Sequence, residues 1–298
     1  MTVQTLAFSG AGGIPLAGSA CGEPGRPTVL FLHGGGQTRH TWDAALSACA
    51  EQGWYAVALD LRGHGDSGWS PDGRYDLPAY SEDVYRVASV LGQPVLVGAS
   101  LGGMAALLAV GEHADPTAAA VVLVDVTPTI TTVGARRVVD FMAQGADGFE
   151  SLEDAAAAIA RYLPHRRRPA NLRSLRKNLR RRPDGRWRWH WDPAMLGSGN
   201  VDEDELNAMA ARVAAATASV AIPTYLVYGG ESDVVGPEGI AELRALAPQL
   251  EVAEVAGAGH MVAGDQNDRF LSAILQFLQP HVGAPMAGAR VGSPPDEL

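Results

Sequence analysis

The sequence predicts an α/β fold built around a mostly parallel β-sheet. Short apolar, β-branched runs alternate with longer alanine-rich stretches, which is typical of βαβ units. An apolar content of 47% is sufficient for a sizeable core and excludes a largely disordered chain. At 298 residues, one large domain carrying an insertion fits the chain better than two full domains.

The elements of this fold are marked by apolar runs bounded by Gly, Pro or Asp. Each run is apolar enough to be buried on both faces, as strands of a parallel sheet are. The predicted strands are 28–32, 55–59, 94–97, 120–124, 225–228 and 251–255, after an N-terminal hairpin at 3–8 and 14–20. The predicted helices between them are 41–52, 80–91, 101–112, 236–247 and 268–278.

The alternation of strands and helices is interrupted between Asp125 and Thr224. Helical patterns occur there at 135–144, 152–163, 170–181 and 203–216, with a Trp-rich connection at 186–191. We therefore predict a helical lid, residues 128–219 (the lid segment), inserted between two parts of one core, 1–127 and 220–282. Residues 283–298 contain few apolar residues and many turn formers, which predicts a disordered tail.

The net charge of −10 is unevenly distributed. Twelve of the 23 basic residues lie between Arg161 and Arg188, together with one acidic residue, Asp184. A solvated helix face, pairing with acidic residues of the core or of a second subunit, and nucleic-acid binding could each explain this basic block. The strongly acidic remainder would repel a polyanion, and no nucleic-acid-binding motif occurs, so we expect no nucleic-acid partner.

The compartment is indicated by features that are absent from the sequence. The two cysteines, Cys21 and Cys49, cannot form a disulfide framework and lack metal-ligand spacing. The first residues lack the basic and apolar regions of a signal peptide, and no apolar run is long enough to span a bilayer. We expect a cytoplasmic protein without membrane association.

The strongest chemical signal is Gly98-Ala99-Ser100-Leu101-Gly102-Gly103. This G-x-S-x-G motif follows an apolar strand and opens a helix, the context in which a serine acts as a nucleophile. The sharp turn requires small neighbours and leaves the hydroxyl at a helix N-terminus, where the Leu101 amide can stabilise an oxyanion. The alternative is a glycine-rich turn with an incidental serine.

A serine nucleophile needs a base and a group that orients the base. Among the eight histidines, His260 follows the last predicted strand in a loop of small residues and is the predicted base. Two aspartates at the carboxyl ends of strands could orient it. We favour Asp233, with Asp125 as the alternative acid and Glu231 a distant third.

A second oxyanion donor is expected from another loop at the same sheet edge. The run His33-Gly34-Gly35-Gly36 follows a strand, and its glycines allow backbone amides to approach a ligand closely. A flexible loop or a phosphate-binding loop is the alternative. The Gly-Lys-Ser/Thr ending and the G-x-G-x-x-G pattern of nucleotide sites are both missing.

Taken together, the motifs resemble those of the α/β-hydrolase fold family. The matching motifs are HGGG at 33–36, DLRGHGDS at 60–67, GASLGG at 98–103, SDVV at 232–235 and GAGH at 257–260. The resemblance covers about residues 3–280 and implies an eight-stranded sheet, a Ser100–His260–Asp233 triad and oxyanion donors at Leu101 and Gly35. It makes His64 and Asp66 parts of a structural turn.

The residues at a few positions indicate to which branch of the family the chain is most similar. Epoxide hydrolases and haloalkane dehalogenases of this fold carry an aspartate where this chain has Ser100. Cofactor-free haloperoxidases share the serine triad but usually have a bulkier residue and a proline where Gly35 and Gly36 stand here. That departure weakens a haloperoxidase assignment.

The substrate pocket is expected beneath the lid segment. Trp187, Trp189 and Trp191 alternate, so an extended segment would place them on one face, either as an aromatic pocket wall or as packing against the core. The residues predicted to bind substrate are Gly36, Trp42, Phe141, Trp187, Trp189 and Met261.

We therefore expect a carboxylesterase-like serine hydrolase that forms an acyl-serine and needs no metal or organic cofactor. Its substrate would be a small, apolar ester-type molecule, and the protein would be a monomer or a homodimer. A lactone or a C–C bond of a diketone is the alternative substrate, since the same triad supports both reactions. A catalytically silent, ligand-binding member of the fold is the alternative of another class.

Overall fold

The computed structural model describes residues 2–115, 117–145, 147–164, 171–197 and 203–282. Its strands are β1 (Gln4–Ser9), β2 (Pro15–Cys21), β3 (Thr28–Leu32), β4 (Tyr55–Leu59), β5 (Val95–Ala99), β6 (Ala120–Val124), β7 (Leu179–Arg181), β8 (Trp187–Trp189), β9 (Thr224–Gly229) and β10 (Leu250–Val255). Its α-helices are α1 (Asp43–Glu51), α2 (Leu77–Leu91), α3 (Leu101–Gly111), α4 (Thr132–Ala143), α5 (Leu152–Tyr162), α6 (Glu203–Ala218), α7 (Pro237–Leu246), α8 (Val262–Asp265) and α9 (Asn267–His281).

One eight-stranded sheet organises the fold, with the strand order β1-β2-β4-β3-β5-β6-β9-β10. Strand β2 pairs antiparallel with β1 and β4, and the other pairings of this sheet, among β4, β3, β5, β6, β9 and β10, are all parallel. The prediction of a mostly parallel α/β sheet is confirmed. Because the strands are parallel, the loops after β3, β5, β6, β9 and β10 meet at one edge of the sheet.

The sheet is buried on both faces, which explains why its strands are apolar without interruption. Successive side chains of β3 alternate between two hydrophobic clusters: Leu30 and Leu32 belong to one, Val29 and Phe31 to the other. Side chains of α2, α3, α6 and α7 contribute to the first cluster, and those of α1 and α9 to the second. The strands are thereby held rigidly between two helical layers.

Helix α2 begins three residues before its predicted start. The carboxylate of Asp76 accepts a hydrogen bond from the Ala79 amide at 2.8 Å, and a proline occupies the first turn of the helix. An aspartate cap followed by proline is a helix-start signal. The helix ends at Gly92, whose φ of 73° is readily adopted by glycine.

The predicted helix 170–181 in the lid segment is wrong. Its described part forms a short 3-10 helix, Leu172–Lys177, followed by β7, which pairs antiparallel with β8. The two strands are joined by residues 182–186, in which the Gly185 amide donates to the Arg182 carbonyl at 2.9 Å. Proline, aspartate and glycine in succession are a turn signal that outweighs the helical pattern before it. The other three predicted helices of this segment correspond to α4, α5 and α6.

The lid segment contributes to two hydrophobic clusters. Side chains from α4, α5, the 3-10 helix and β7–β8 form a cluster of their own, whereas Val213 and Ala216 of α6 pack into the first core cluster. The division of the chain into core and lid domain remains a prediction. The predicted tail, 283–298, lies outside the described residues.

Part of the basic block pairs with acidic residues of the core. Lys177 Nζ lies 2.6 Å from a carboxylate oxygen of Asp43, and Arg180 Nη2 lies 2.7 Å from one of Asp66. Arg188 pairs instead with Asp184 inside the block. Pairing with the core therefore accounts for two of the basic residues, and residues 165–170 lie outside the described residues. None of the helices in the described part of the chain has the length and apolar character needed to cross a membrane.

Candidate active site

Ser100 occupies a sharp turn between the end of β5 and the start of α3. Its backbone has φ 46° and ψ −115°, a positive-φ conformation that non-glycine residues rarely adopt. A Cβ atom on Gly98 would lie 2.6 Å from the Gly102 carbonyl oxygen, and one on Gly102 would lie 2.7 Å from the Leu32 carbonyl oxygen. The motif glycines are therefore required because β5, α3 and the neighbouring strand approach closely beneath the serine.

His260 lies in the loop after β10, and its side chain is 12% exposed. Its Nδ1 lies 2.7 Å from Oδ2 of Asp125, the residue directly after β6. Because a carboxylate only accepts hydrogen bonds, Nδ1 is the donor and Nε2 of the neutral ring keeps its lone pair. This is the arrangement that a histidine needs in order to act as a base.

Asp125 is completely buried and fixed by further hydrogen bonds. Its Oδ1 accepts from the Gly229 amide at 2.9 Å, and its Oδ2 accepts from the Ser232 hydroxyl at 2.6 Å. The backbone of Asp125 also has a positive φ of 51°. Because its carboxylate oxygens accept hydrogen bonds from β9 and from the loops after β9 and β10, the buried side chain is held in a single orientation.

The favoured acid, Asp233, does not contact His260 in the structure. Its carboxylate pairs with Arg137 of α4, and its carbonyl accepts from the Thr131 hydroxyl. The turn after β9, in which the Ser232 amide donates to the Gly229 carbonyl at 3.0 Å, precedes Asp233. Of the two candidate acids, the structure places Asp125 against the histidine and Asp233 against the lid segment.

Ser100 and His260 line the same cavity, whose volume is about 550 Å³. Five other predicted site residues, Gly35, Gly36, Phe141, Trp189 and Met261, line it as well. Much of the remaining wall comes from apolar side chains of the lid segment, namely Val138, Ala156, Ile159, Ala160, Leu163 and Leu175. More polar side chains, including His40, Thr41, Ser174, Lys177 and Asn178, complete it. A cavity of this size and mixed lining suits a small organic molecule.

Two predicted substrate-binding residues do not line this cavity. Trp42 is 1% exposed and packs in the core against Phe31 and Phe270. Trp187 packs against the cluster of the lid segment, and the guanidinium of Arg176 lies 5.5 Å from the centre of its ring. Of the three alternating tryptophans, only Trp189 lines the cavity, and Trp191 stacks on it at 4.9 Å.

The predicted oxyanion donors have backbone amides that remain available. Leu101 is the first residue of α3 and its side chain packs against the core, while Gly35 lies in the loop after β3. Within the described residues, neither amide donates a hydrogen bond to the protein. The flanking amides are used, since Gly34 donates to Gln37 Oε1 and Gly36 donates to His64 Nε2, both at 3.1 Å.

Three buried, neutral histidines support this loop, a feature that the sequence interpretation missed. Burial is the main cause that lowers the pKa of His33 to about 4 and that of His64 to about 3, and it also lowers the pKa of His190 well below its usual value. Their ring centroids lie 4.8 Å apart for His33–His64 and 5.9 Å apart for His64–His190. The motif Arg62-Gly63-His64-Gly65 could have indicated a structural role for His64. Nothing in the sequence around His190 indicated that it would join this cluster.

Among the described residues, no group of three or more His, Cys, Asp or Glu side chains is arranged to hold a metal ion. The groups that the structure places beside the cavity are a serine hydroxyl, an imidazole oriented by a carboxylate, and backbone amides.

Comparisons with known proteins identify related sequences and structures. Residues 27–265 match the family model for the alpha/beta hydrolase fold. The chain is 35% identical over 251 residues to the esterase Rv0045c of Mycobacterium tuberculosis, covering 80% of this chain and 78% of that protein. It is 29% identical over 265 residues to the sn-1-specific diacylglycerol lipase ABHD11 of Mus musculus, covering 86% and 82% of the two chains.

A solved structure shares most of the fold. The crystal structure of E-2-(acetamidomethylene)succinate hydrolase superposes with a TM-score of 0.80 at 25% identity, covering 93% of this chain and 99% of that one. These relatives support a hydrolase that acts on esters or related compounds. By the match of its family model over most of its length, the chain belongs to the alpha/beta hydrolase fold family.

Proposed function

We propose that the protein is a serine hydrolase that cleaves a carboxylic ester through an acyl-serine intermediate. The observation that carries this proposal is the convergence of a strained Ser100 and an Asp125-bound His260 on one cavity. A nucleophile, a base and an orienting carboxylate on three separate loops are the minimum set for acyl transfer. The esterase and lipase relatives support the same reaction class.

The proposed reaction has two halves. Ser100 Oγ attacks the ester carbonyl and transfers its proton to Nε2 of His260, while Asp125 stabilises the imidazolium through Nδ1. The amides of Gly35 and Leu101 bind the oxyanion of the tetrahedral intermediate. Collapse of this intermediate expels the alcohol, which takes the proton from His260. Water, deprotonated by the same histidine, then attacks the acyl-serine, and Ser100 is regenerated as the acid leaves.

The cavity favours a substrate with an apolar acyl or alcohol group. Phe141 stacks on Tyr162 at 4.2 Å and packs against Trp189 at 5.4 Å, so part of the wall is a continuous aromatic surface. Burying an apolar chain there contributes roughly 0.8 kcal/mol for each methylene group. We expect activity to rise with chain length until the cavity of about 550 Å³ is filled.

The proposal is tested by measuring hydrolysis of p-nitrophenyl esters of increasing acyl length, with lactones and diketones assayed in parallel. Wild type should hydrolyse the esters, and Ser100→Ala should lose at least about 10⁴-fold in kcat. The matched control is Ser89→Ala, because Ser89 is exposed on α2 and its hydroxyl donates to the Tyr85 carbonyl. Activity confined to lactones or diketones would refute the ester assignment. Ester hydrolysis that survives Ser100→Ala would refute the mechanism.

A further inference from the structure

His190 connects the lid segment to the turn that supports the loop after β3, residues 33–37 (the oxyanion loop), which carries the proposed donor Gly35. It lies directly after β8, is 2% exposed and does not line the cavity. Its Nδ1 accepts a hydrogen bond of 2.6 Å from the amide of Gly65. The ring is therefore a buried acceptor supplied by the lid segment to a backbone donor of the core.

The turn that His190 holds carries His64, which in turn holds the oxyanion loop. His64 Nδ1 lies 2.9 Å from the Arg62 carbonyl, and its Nε2 accepts from the Gly36 amide at 3.1 Å. Because His64 directly precedes Gly65, the bond from Gly65 to His190 also restrains His64. The ring of His64 in turn holds the Gly36 amide. Gly36 directly follows Gly35, the proposed oxyanion donor.

Two other parts of the lid segment, α4 and the residue after His190, also approach the oxyanion loop directly. A Cβ atom on Gly36 would lie 3.2 Å from Met142 Cγ and 3.4 Å from Trp191 Cζ3. The Asp192 amide donates to the Gly63 carbonyl at 2.9 Å, next to the bond that His190 accepts. Gly36 has a φ of 70°, which glycine adopts without strain, so these contacts and the bond to His64 determine where its amide lies.

We infer that His190 is a positioning residue through which the lid segment sets the geometry of the oxyanion hole. It acts without touching substrate, by holding the turn at Gly65 and, through His64, the amides of the Gly35–Gly36 loop. Binding of the oxyanion therefore depends on a residue of the lid segment as well as on the core. This inference rests on the proposed function, since it assigns Gly35 to the oxyanion of acyl transfer.

The test compares two substitutions that differ in the ability to accept a hydrogen bond. The amide oxygen of His190→Asn can replace Nδ1 as the acceptor for Gly65, whereas His190→Phe keeps an aromatic ring and offers no acceptor. We expect His190→Phe to lower kcat by about 10- to 100-fold with KM changed less than about threefold, since removing an oxyanion donor outright costs about 10²–10³. His190→Asn should recover most of that loss.

A transition-state mimic separates positioning from general damage to the fold. A trifluoromethyl ketone, which forms an oxyanion on the serine, should bind His190→Phe more weakly by the same factor as kcat falls. The control is His113→Phe, because His113 stacks on Tyr85 at 3.7 Å away from the cavity and phenylalanine preserves the stacking. Equal losses in the Asn and Phe variants, or a loss confined to KM, would overturn the inference.

A measurement on wild type keeps the inference testable if His190→Phe does not fold. The amides of Gly36 and Gly65 should exchange with solvent slowly, because both donate to buried histidines. Rapid exchange at either amide contradicts the inference. A wild-type protein that hydrolyses no ester refutes the proposed function instead, and the exchange rates then decide alone whether His190 holds this turn.

Discussion

Substituting Asp125 tests which carboxylate orients His260. In Asp125→Asn, the amide oxygen is expected to face the Gly229 amide, because an NH₂ group there would oppose another N–H donor. The NH₂ group then faces Nδ1 of His260, so the ring proton moves to Nε2 and the base can no longer accept from Ser100. In either orientation of the amide, the charge that stabilises the imidazolium is lost.

The expected fall in activity follows from the lost charge and from the change of the histidine to the wrong tautomer. The corresponding change in a serine protease triad lowers kcat by about 10⁴, which equals about 5 kcal/mol of activation free energy. We expect kcat/KM of Asp125→Asn to fall by about 10³- to 10⁴-fold, measured with a p-nitrophenyl ester. Thermal unfolding of the same sample checks that the variant is folded.

Asp233→Asn is the matched control, because it makes the same change at the other candidate acid. Asp233 and its partner Arg137 have side chains 33% and 44% exposed, and exposed ion pairs contribute at most about 1 kcal/mol to stability. We expect its kcat/KM to stay within about threefold of wild type. A larger loss for Asp233→Asn than for Asp125→Asn, with both variants folded, would refute the assignment of Asp125.

Three further outcomes are expected. The pKa values of His33 and His64 are about 4 and about 3 in the folded protein against 6.5 for an ordinary histidine, so unfolding takes up protons between these values. The free energy of unfolding, followed by urea titration, should fall by at least about 3 kcal/mol from pH 7 to pH 4, and a flat profile down to pH 5 would contradict this. Gly98→Ala should destabilise the protein by about 1–3 kcal/mol in a denaturant titration, because its Cβ would lie 2.6 Å from the helix backbone after the serine. Gly236→Ala, which has open space around its Cβ, should change stability by less than about 0.5 kcal/mol, and equal effects would refute the close-approach argument. Phe141→Ala should lower kcat/KM about tenfold or more for long-chain esters and less than about threefold for acetate, whereas an equal loss at every chain length would exclude Phe141 from the acyl site.

The sheet was predictable from sequence because its strands carry their own signal. Strands such as β3 and β6 are buried on both faces, so their apolar runs are continuous and easily recognised. The sharp turn at Ser100 was predictable for a related reason. The backbones beneath it approach so closely that only glycines at fixed positions fit there. In both cases, a local sequence pattern and a local physical requirement coincide.

Which aspartate contacts His260 was not predictable, because that contact depends on where two loops turn. Asp125 and Asp233 both follow parallel strands, and either could reach His260 by strand order alone. The outcome is determined by the hydrogen bonds of Gly229 and Ser232 to Asp125, which join residues more than 100 positions apart. His190 was missed for the same reason, since its partner Gly65 is 125 residues away in sequence.

The lid segment shows how tertiary contacts override local propensity. Residues 172–181 are rich in leucine and arginine and favour a helix, yet β7 forms there because β8 returns to it through a proline-glycine turn. Trp42 and Trp187 illustrate a second limit of prediction from sequence, since neither lines the cavity. A tryptophan contributes large apolar area to a core or to a pocket equally well, and only packing decides between the two.

The central claim, that Ser100 is the nucleophile of a hydrolase, is tested most directly by covalent labelling. A fluorophosphonate probe should add one phosphonyl group to the wild-type protein, with peptide mass spectrometry placing it on the peptide that contains Ser100. Ser100→Ala should remain unlabelled, and ester hydrolysis should fall in step with labelling of wild type. Labelling at a different residue, or full hydrolytic activity in a protein that the probe does not modify, would contradict the account.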